Sequence, residues 1–287
     1  MQKPKSIDAS FALTTSPTPG SAKSDPILVA DKIARQFGGL TAVNVDHLEV
    51  QRGSITALIG PNGAGKTTFF NLLTGYDTPN SGTWSFNGRA LNGIPPHKVA
   101  RLGMVRTFQL TKALYRLTVI ENMALGARGQ KGESVLRSVF PWMWRAQEAE
   151  IRERATAILT NFKLIEKQDD FAAALSGGQR KLLEMARALM VEPEMVMLDE
   201  PMAGVNPALK QSLLEHIKEL RTEGKTVLFV EHDMDMVHEI SDWVIVMAQG
   251  EIIAEGTPAS VMGNQQVIEA YLGAHHNEDL SANQEGA

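Results

Sequence analysis

The sequence predicts an α/β fold built on a parallel sheet, and three observations carry that prediction. Short, mostly apolar runs of strand length recur at Ile55 to Ile59, Met195 to Leu198, Thr226 to Val230 and Trp243 to Met247. The later runs alternate with helical patterns, in the β-α-β-α-β rhythm of strands joined by crossover helices. The first run passes directly into GPNGAGKT at 60 to 67, a glycine-rich turn that opens a helical pattern over Thr67 to Leu73.

Composition bounds the answer further. The 287 residues are 43% hydrophobic and 21% charged, enough for a substantial core, and the formal net charge is −5. That mild acidity argues against a protein whose main work is coating nucleic acid through a strongly basic surface. With no cysteine there is no disulfide, thiol nucleophile or thiolate metal site. No run reaches the roughly 18 apolar residues of a membrane span, and the apolar patch around Phe11 to Leu13 is too short for a signal-peptide core. The expected location is therefore cytoplasmic. No long-period repeat is present, which disfavours a solenoid or tandem domains.

Residues 1–26 are rich in Ser, Thr, Pro, Ala and Lys, and a disordered arm is expected there because so little apolar surface cannot offset the entropy of ordering. The tail at 274–287 reads the same way, leaving one domain over 27–273. β-rich runs come first, at Ile27 to Val29, Val43 to Val50, Ile55 to Ile59 and Thr83 to Phe86, separated by Gly, Asn and Pro. Between about 118 and 190 helical patterns dominate, predicting a helical subdomain inserted in the α/β core. Asn206 and Pro207 supply an N-cap and first-turn residue for a helix whose Leu209, Leu213, Ile217 and Leu220 share one face, and Gly224 can close it. Thr226 to Val230, Asp233 to Ile240 and Trp243 to Met247 then read as strand, helix and strand.

The segment 60 to 67 fits G-x-x-x-x-G-K-[ST] between a strand and a helix, the context that the motif requires. Gly60, Gly63 and Gly65 let the backbone turn its N–H groups toward a phosphate. Lys66 can reach the β and γ phosphates, and the Thr67 hydroxyl can bind Mg²⁺ at the helix start. A nucleoside triphosphate is the expected ligand. Asp199 and Glu200 end a buried strand, where ligands collect in α/β sheets. Asp199 would hold Mg²⁺ through its water and Glu200 would polarise an attacking water, favouring hydrolysis over transfer to a substrate. LSGGQ at 175 to 179 precedes an amphipathic run with Leu182, Met185, Ala186 and Leu189 on one face. Ser176 suits an N-cap; alone, the segment reads equally as a second phosphate nest or a plain capped loop.

GPNGAGKT at 60, LSGGQ at 175, MVMLDE at 195 and EHD at 231, in that order, resemble the ABC-type ATP-binding domain over about residues 27–273. That resemblance implies a P-loop NTPase with a RecA-like core, an N-terminal antiparallel β subdomain and an inserted helical subdomain. It adds Pro61, Asn62, Ala64 and Thr68 to the nucleotide-binding set. It also implies a head-to-tail dimer in which Ser176, Gly177, Gly178 and Gln179 meet the γ phosphate held by the opposite subunit. His232 would lie on the γ phosphate, and Gln109 near Mg²⁺ and the attacking water; taken singly, these read as a surface histidine and an ordinary loop residue. Phe37 stands where the family commonly stacks an aromatic on adenine, but it could equally plug the core. Where the family usually carries Asp, this chain has Asn206, which weakens any charge-based role there.

A finer resemblance is to the ATP-binding subunits of branched-chain amino acid importers, through FGGLTAVN at 37, VRTFQL at 105, LTVIENM at 117, the 126–145 insertion, DEPMAGVNP at 199, EHDM at 231 and AYLG at 270. Urea and short-amide importers share much of this pattern. The resemblance implies ATP and Mg²⁺ as cofactors, and a homodimer or a heterodimer with a related ATPase at the inner face of the plasma membrane. It implies two transmembrane permeases as partners, with a coupling groove near Gln109 to Tyr115, and an extracytoplasmic solute-binding protein. No direct nucleic-acid partner is expected. Phe140, Trp142, Met143 and Trp144 of the insertion, beside Arg137 and Arg145, could pack on a partner, touch the membrane edge or form a local helical plug. A soluble ABC ATPase acting on nucleic acid or ribosomes is a runner-up, disfavoured by the lack of a long heptad insertion or a second ATP domain. A non-hydrolysing module is disfavoured by intact Lys66, Asp199, Glu200 and His232.

Overall fold

The structure, a computed structural model, describes residues 17–107, 114–128 and 145–272. Gln109 and the aromatic residues of the 126–145 insertion lie outside these ranges, as do residues 1–16 and the tail after Leu272.

Two sheets stack around two cores. The first is antiparallel, with strand order β2-β1-β4-β5, from β1 (Pro26–Phe37), β2 (Leu40–Gln51), β4 (Ser81–Phe86) and β5 (Arg89–Ala90). The second has six strands in the order β10-β9-β3-β8-β7-β6. In it β3 (Ile55–Ile59), β8 (Thr226–Val230), β7 (Met195–Asp199), β6 (Met104–Thr107) and β9 (Trp243–Ala248) run parallel, and β10 (Glu251–Gly256) pairs antiparallel with β9 at one edge. β3 and β8 are buried at every residue, which explains why their sequences are near-continuous apolar runs rather than alternating ones.

Helices cover both faces of the parallel sheet. Leu58, Met197, Leu228, Val230 and Ile245 face a core shared with α1 (Lys66–Leu73) and the antiparallel sheet; α2 (Pro96–Leu102) adds Val99. The opposite residues, Ala57, Ile59, Leu198, Phe229 and Val246, face the second core. That core is closed by α3 (Val119–Ala124), α4 (Arg145–Asn161), α5 (Gly177–Leu189), α6 (Pro207–Thr222), α7 (Met234–Ile240) and α8 (Pro258–Met262), and a last helix spans residues 265–272. Among the described residues of 118–190 the helices are α3, α4 and α5, with two short 3₁₀ turns between α4 and α5. The helix caps fall where the residues predicted them. Asn206 accepts from the Leu209 N–H at 2.9 Å, and Pro207 opens α6. Gly224 lies just past its end at φ 79°.

Residues 17–25, assigned by composition to the disordered arm, are part of the folded body. Ser21 and Lys23 are buried, and the Lys23 ammonium lies 3.3 Å from Glu255 Oε1 on β10 and 4.4 Å from the Trp243 ring centroid. Local composition was outweighed by a partner more than 200 residues away. Among the described residues, no helix is long and apolar enough to cross a membrane.

Candidate nucleotide-binding and hydrolysis site

The phosphate loop is shaped by backbone packing. A Cβ at Gly60, where φ is 150°, would stand 2.0 Å from the Met247 carbonyl oxygen, and one at Gly65, φ 97°, would stand 2.3 Å from that of Ala42. The main chain of β9 and β2 therefore presses the loop into a cradle that only glycine fits. Gly65 caps α1 in the left-handed conformation with no side chain closing the first turn. The first N–H groups of α1 are thus left for an anion, at the positive end of the helix. Ala64 is buried and accepts the Gly250 N–H at 3.0 Å, tying the loop to the β9–β10 turn. Pro61 and Thr68 are half-buried, whereas Asn62, Gly63 and Thr67 are exposed.

Lys66 is buried and donates to the carbonyls of Gly60 at 2.7 Å and Pro61 at 2.9 Å. Burial lowers its pKa, and the fields of Glu200 and Asp199 oppose that drop. The two acids therefore lie within electrostatic reach of the loop lysine, as the motifs required.

The register of the sheet brings the remaining residues together. β7 and β8 are adjacent and parallel, with Asp199 opposite Val230, so Glu200 and Glu231 leave their strands on the same edge of the sheet. Glu200 Oε1 and His232 Nε2 are 3.0 Å apart, both half in solvent. Glu200 adopts φ 47°, in the left-handed region that non-glycine residues rarely enter. Asp199 is nearly buried and pairs through Oδ2 with the Arg106 guanidinium at 2.5 Å, while Arg106 also donates to Asn71 Oδ1 at 2.6 Å. Arg106, from β6, is a functional neighbour that the motifs missed; its only signal was its place in VRTFQL. The Thr67 hydroxyl and the Asp199 carboxylate are oxygen donors of the kind suited to a hard cation such as Mg²⁺.

Glu231 is a second residue that sequence reasoning passed over. It is only 4% exposed, and it accepts from the Met202 N–H at 2.8 Å and from its neighbour's N–H, that of His232, at 3.1 Å. Burial pushes its carboxyl upward from the usual carboxylate range. Asp233 caps α7 and pairs with Lys210 of α6, which holds its pKa down.

The signature segment is built differently. Ser176 caps α5 by accepting from the Gln179 N–H at 3.2 Å, and Gln179 Oε1 accepts from the Ser176 N–H at 2.9 Å, a reciprocal capping box. Ser176 and Gly177 face solvent, and Gly178 packs against Leu209 of α6, where an added Cβ would come within 3.0 Å. Phe37 is 49% exposed with the Arg35 guanidinium 4.5 Å from its ring centroid, so it is not a core plug. Asn206 is spent on capping α6, a task that Asn and Asp perform equally well. Leu114 and Tyr115, at the near end of the expected coupling groove, are each about half exposed.

A cavity of about 590 Å³ borders the site on its outer side, between Gly60, Pro61, Asn62 and His232 and the apolar C-terminal residues Val267 and Tyr271. The C-terminal helices thus abut the phosphate loop and the histidine.

Comparison with known proteins decides the family. The model of the ABC transporter family matches residues 43–203. The chain belongs to the ABC transporter family. As an ABC ATP-binding domain it is an ATPase coupled to transport. A second family model, described as branched-chain amino acid ATP-binding cassette transporter, matches residues 251–277. A probable branched-chain amino acid transport ATP-binding protein of Archaeoglobus fulgidus is 44% identical over 252 residues, covering 88% of this chain and 97% of that protein. The high-affinity branched-chain amino acid transport ATP-binding protein of Escherichia coli K12 is 42% identical, over 87% of this chain and 99% of its own. A crystal structure of the ADP conformation of an ATP-binding cassette of an ABC transporter superposes with a TM-score of 0.75 at 37% identity, covering 87% of this chain and 100% of that one.

Proposed function

We propose that this chain is the ATP-hydrolysing subunit of an importer for branched-chain amino acids, working at the inner face of the plasma membrane. The observation that carries the reading is the C-terminal match to the branched-chain family model, which joins relatives alike over nearly their full length. In this reading the 60–68 loop holds the nucleotide phosphates by backbone N–H groups, with the Lys66 ammonium exchanging its own loop carbonyls for them. Phe37, at the surface, stacks on the adenine. Thr67, Asp199 and Gln109 would hold Mg²⁺, which when bound offsets the charge that develops on the phosphates. Glu200 orients and polarises the attacking water, and the His232 ring beside it bears on the γ phosphate. Ser176, Gly177, Gly178 and Gln179 complete the site of a second ATPase, a copy of this chain or a related one.

The load is a pair of permeases fed by an extracytoplasmic solute-binding protein, with the coupling contact near Gln109 to Tyr115. The test is purification of the chain from its own cells in mild detergent, followed by uptake in vesicles made from the recovered complex. Two permeases, and ATP-dependent uptake of leucine or isoleucine that is lost with Glu200→Gln, are expected. Recovery of soluble partners alone, or uptake of urea instead, would overturn the assignment.

A further inference from the structure

Glu200 is held in a conformation that costs free energy. Its φ of 47° lies in the left-handed region, a strain that persists only where the surroundings over-determine it. The backbone supplies part of that restraint. The Glu200 N–H donates to Val230 O at 3.0 Å, and two short turns come next, from the Ala203 N–H to Glu200 O and from the Val205 N–H to Met202 O. Beyond Val205 the chain is held by the cap of α6.

Two charged side chains, Lys181 and Glu231, supply the rest. Lys181, in the second turn of α5, directs its ammonium at the carbonyl oxygens of Glu200 at 3.5 Å, Pro201 at 3.3 Å and Ala203. Glu231 holds the Met202 N–H from the sheet side, and with its other oxygen the His232 N–H. One buried carboxylate thereby sets the distance between the turn that carries Glu200 and the residue that meets it. Lys181 and Glu231 are also close enough for their charges to interact. A lysine loses more side-chain entropy on being fixed than most residues, and the enclosing of Glu231 costs desolvation, so neither is the cheapest way to hold a turn.

We propose that Lys181 and Glu231 are positioning residues that clamp the 200–203 turn and keep Glu200 in its strained conformation beside His232. The proposal rests on the assignment of Glu200 as the residue that activates water. Because Lys181 sits on the helix that Ser176 caps, the clamp also ties the signature segment of this chain to its own hydrolytic glutamate. The ammonium opposes three carbonyl dipoles that would otherwise crowd one another. Without it the turn relaxes and Glu200 moves off the line of attack while the phosphate loop is untouched.

The test is steady-state hydrolysis of MgATP by the purified full-length chain, with ATP affinity and melting temperature measured in parallel. Lys181→Met is expected to lower kcat at least tenfold while KM and ATP affinity stay within about twofold, and Lys181→Arg, which restores the donors, to recover most of the loss. Glu231→Gln, able to accept but not charged, is expected to fall between the wild type and Glu231→Leu. In the Glu200→Gln background, Lys181→Met is expected to cost nothing further, since residues acting through one group are non-additive. The clamp is overturned if Lys181→Met leaves kcat unchanged, if its loss is matched by KM or by melting temperature, or if the loss recurs in full on top of Glu200→Gln. A wild-type kcat in Glu200→Gln itself would instead remove the assignment beneath the proposal, and the clamp with it.

Discussion

The phosphate loop and the signature segment are both small-residue turns at the start of a helix, yet they are held in opposite ways. The first is fixed by main chain pressing on main chain, with Gly60 and Gly65 against the carbonyls of Met247 and Ala42 and no side chain closing α1. The second is fixed by side chains, with Ser176 and Gln179 closing the first turn of α5 at an exposed surface. A cradle determined by backbone is complete within one chain and has its donors open. A turn fastened by its own cap has its donors already engaged within the chain, which fits the proposal that it serves the site of a second subunit rather than its own.

That contrast can be broken by substitution. The largest effect is expected from Glu200→Gln, where hydrolysis should fall by about 10²- to 10⁴-fold with ATP still bound, as measured by turnover alongside nucleotide binding. Gly60→Ala should come next: the added Cβ has no space beside the Met247 carbonyl, so a stability loss of about 3 kcal/mol or more is expected from denaturant melts. Gly63→Ala sharpens the point, because Gly63 has open space around it and a φ of 75°, and only the backbone strain of about 1 to 2 kcal/mol should appear. Ser176→Ala should cost only about 1 kcal/mol of stability through the lost cap. It should leave the ATP affinity of the isolated chain unchanged; weakened binding in the monomer would place the signature segment in its own site rather than a neighbour's.

The smallest effect concerns the C-terminal wall. Burial pushes the Tyr271 hydroxyl up to about 12, above its ordinary value. A raised folded-state value means the contribution to stability is whole below pH 10 and is lost as pH rises from 10 to 12. Tyr271→Phe should therefore remove at most about 1 kcal/mol of alkaline destabilisation, the partial exposure of the ring limiting the figure, as read from melts at pH 9 and pH 11.

The same division governs how much of the molecule was legible in its residues. β3 and β8 coincide with their apolar runs, and the caps at Ser176, Asn206 and Asp233 were written locally. β6 and β10 were not anticipated. β6 carries Arg106 in its middle, where Asp199 meets it from β7 and Asn71 from α1, and β10 carries Glu255, which Lys23 and the Trp243 indole meet. Each depends on a partner distant in sequence, which no local pattern reveals. Glu231 was invisible for a related reason: its place in EHD was plain, but nothing local says that its carboxylate is enclosed and bridges two loops. Phe37 is the reverse, a residue left undecided between surface and core that exposure alone resolves.

The contact between Lys23 and Glu255 has a practical side. It works as a clasp, since the stretch leading into β1 is fastened to the last strand of the main sheet, and the Trp243 indole N–H reaches the same carboxylate at 3.2 Å. A shortened form starting at residue 17 keeps the clasp. One starting at residue 25 would leave a carboxylate enclosed without its cation, a fault that typically costs about 3 to 5 kcal/mol. Purification tags and reporter fusions at the front of the chain therefore belong upstream of Pro17, and a library that trims this end for crystal growth should stop there.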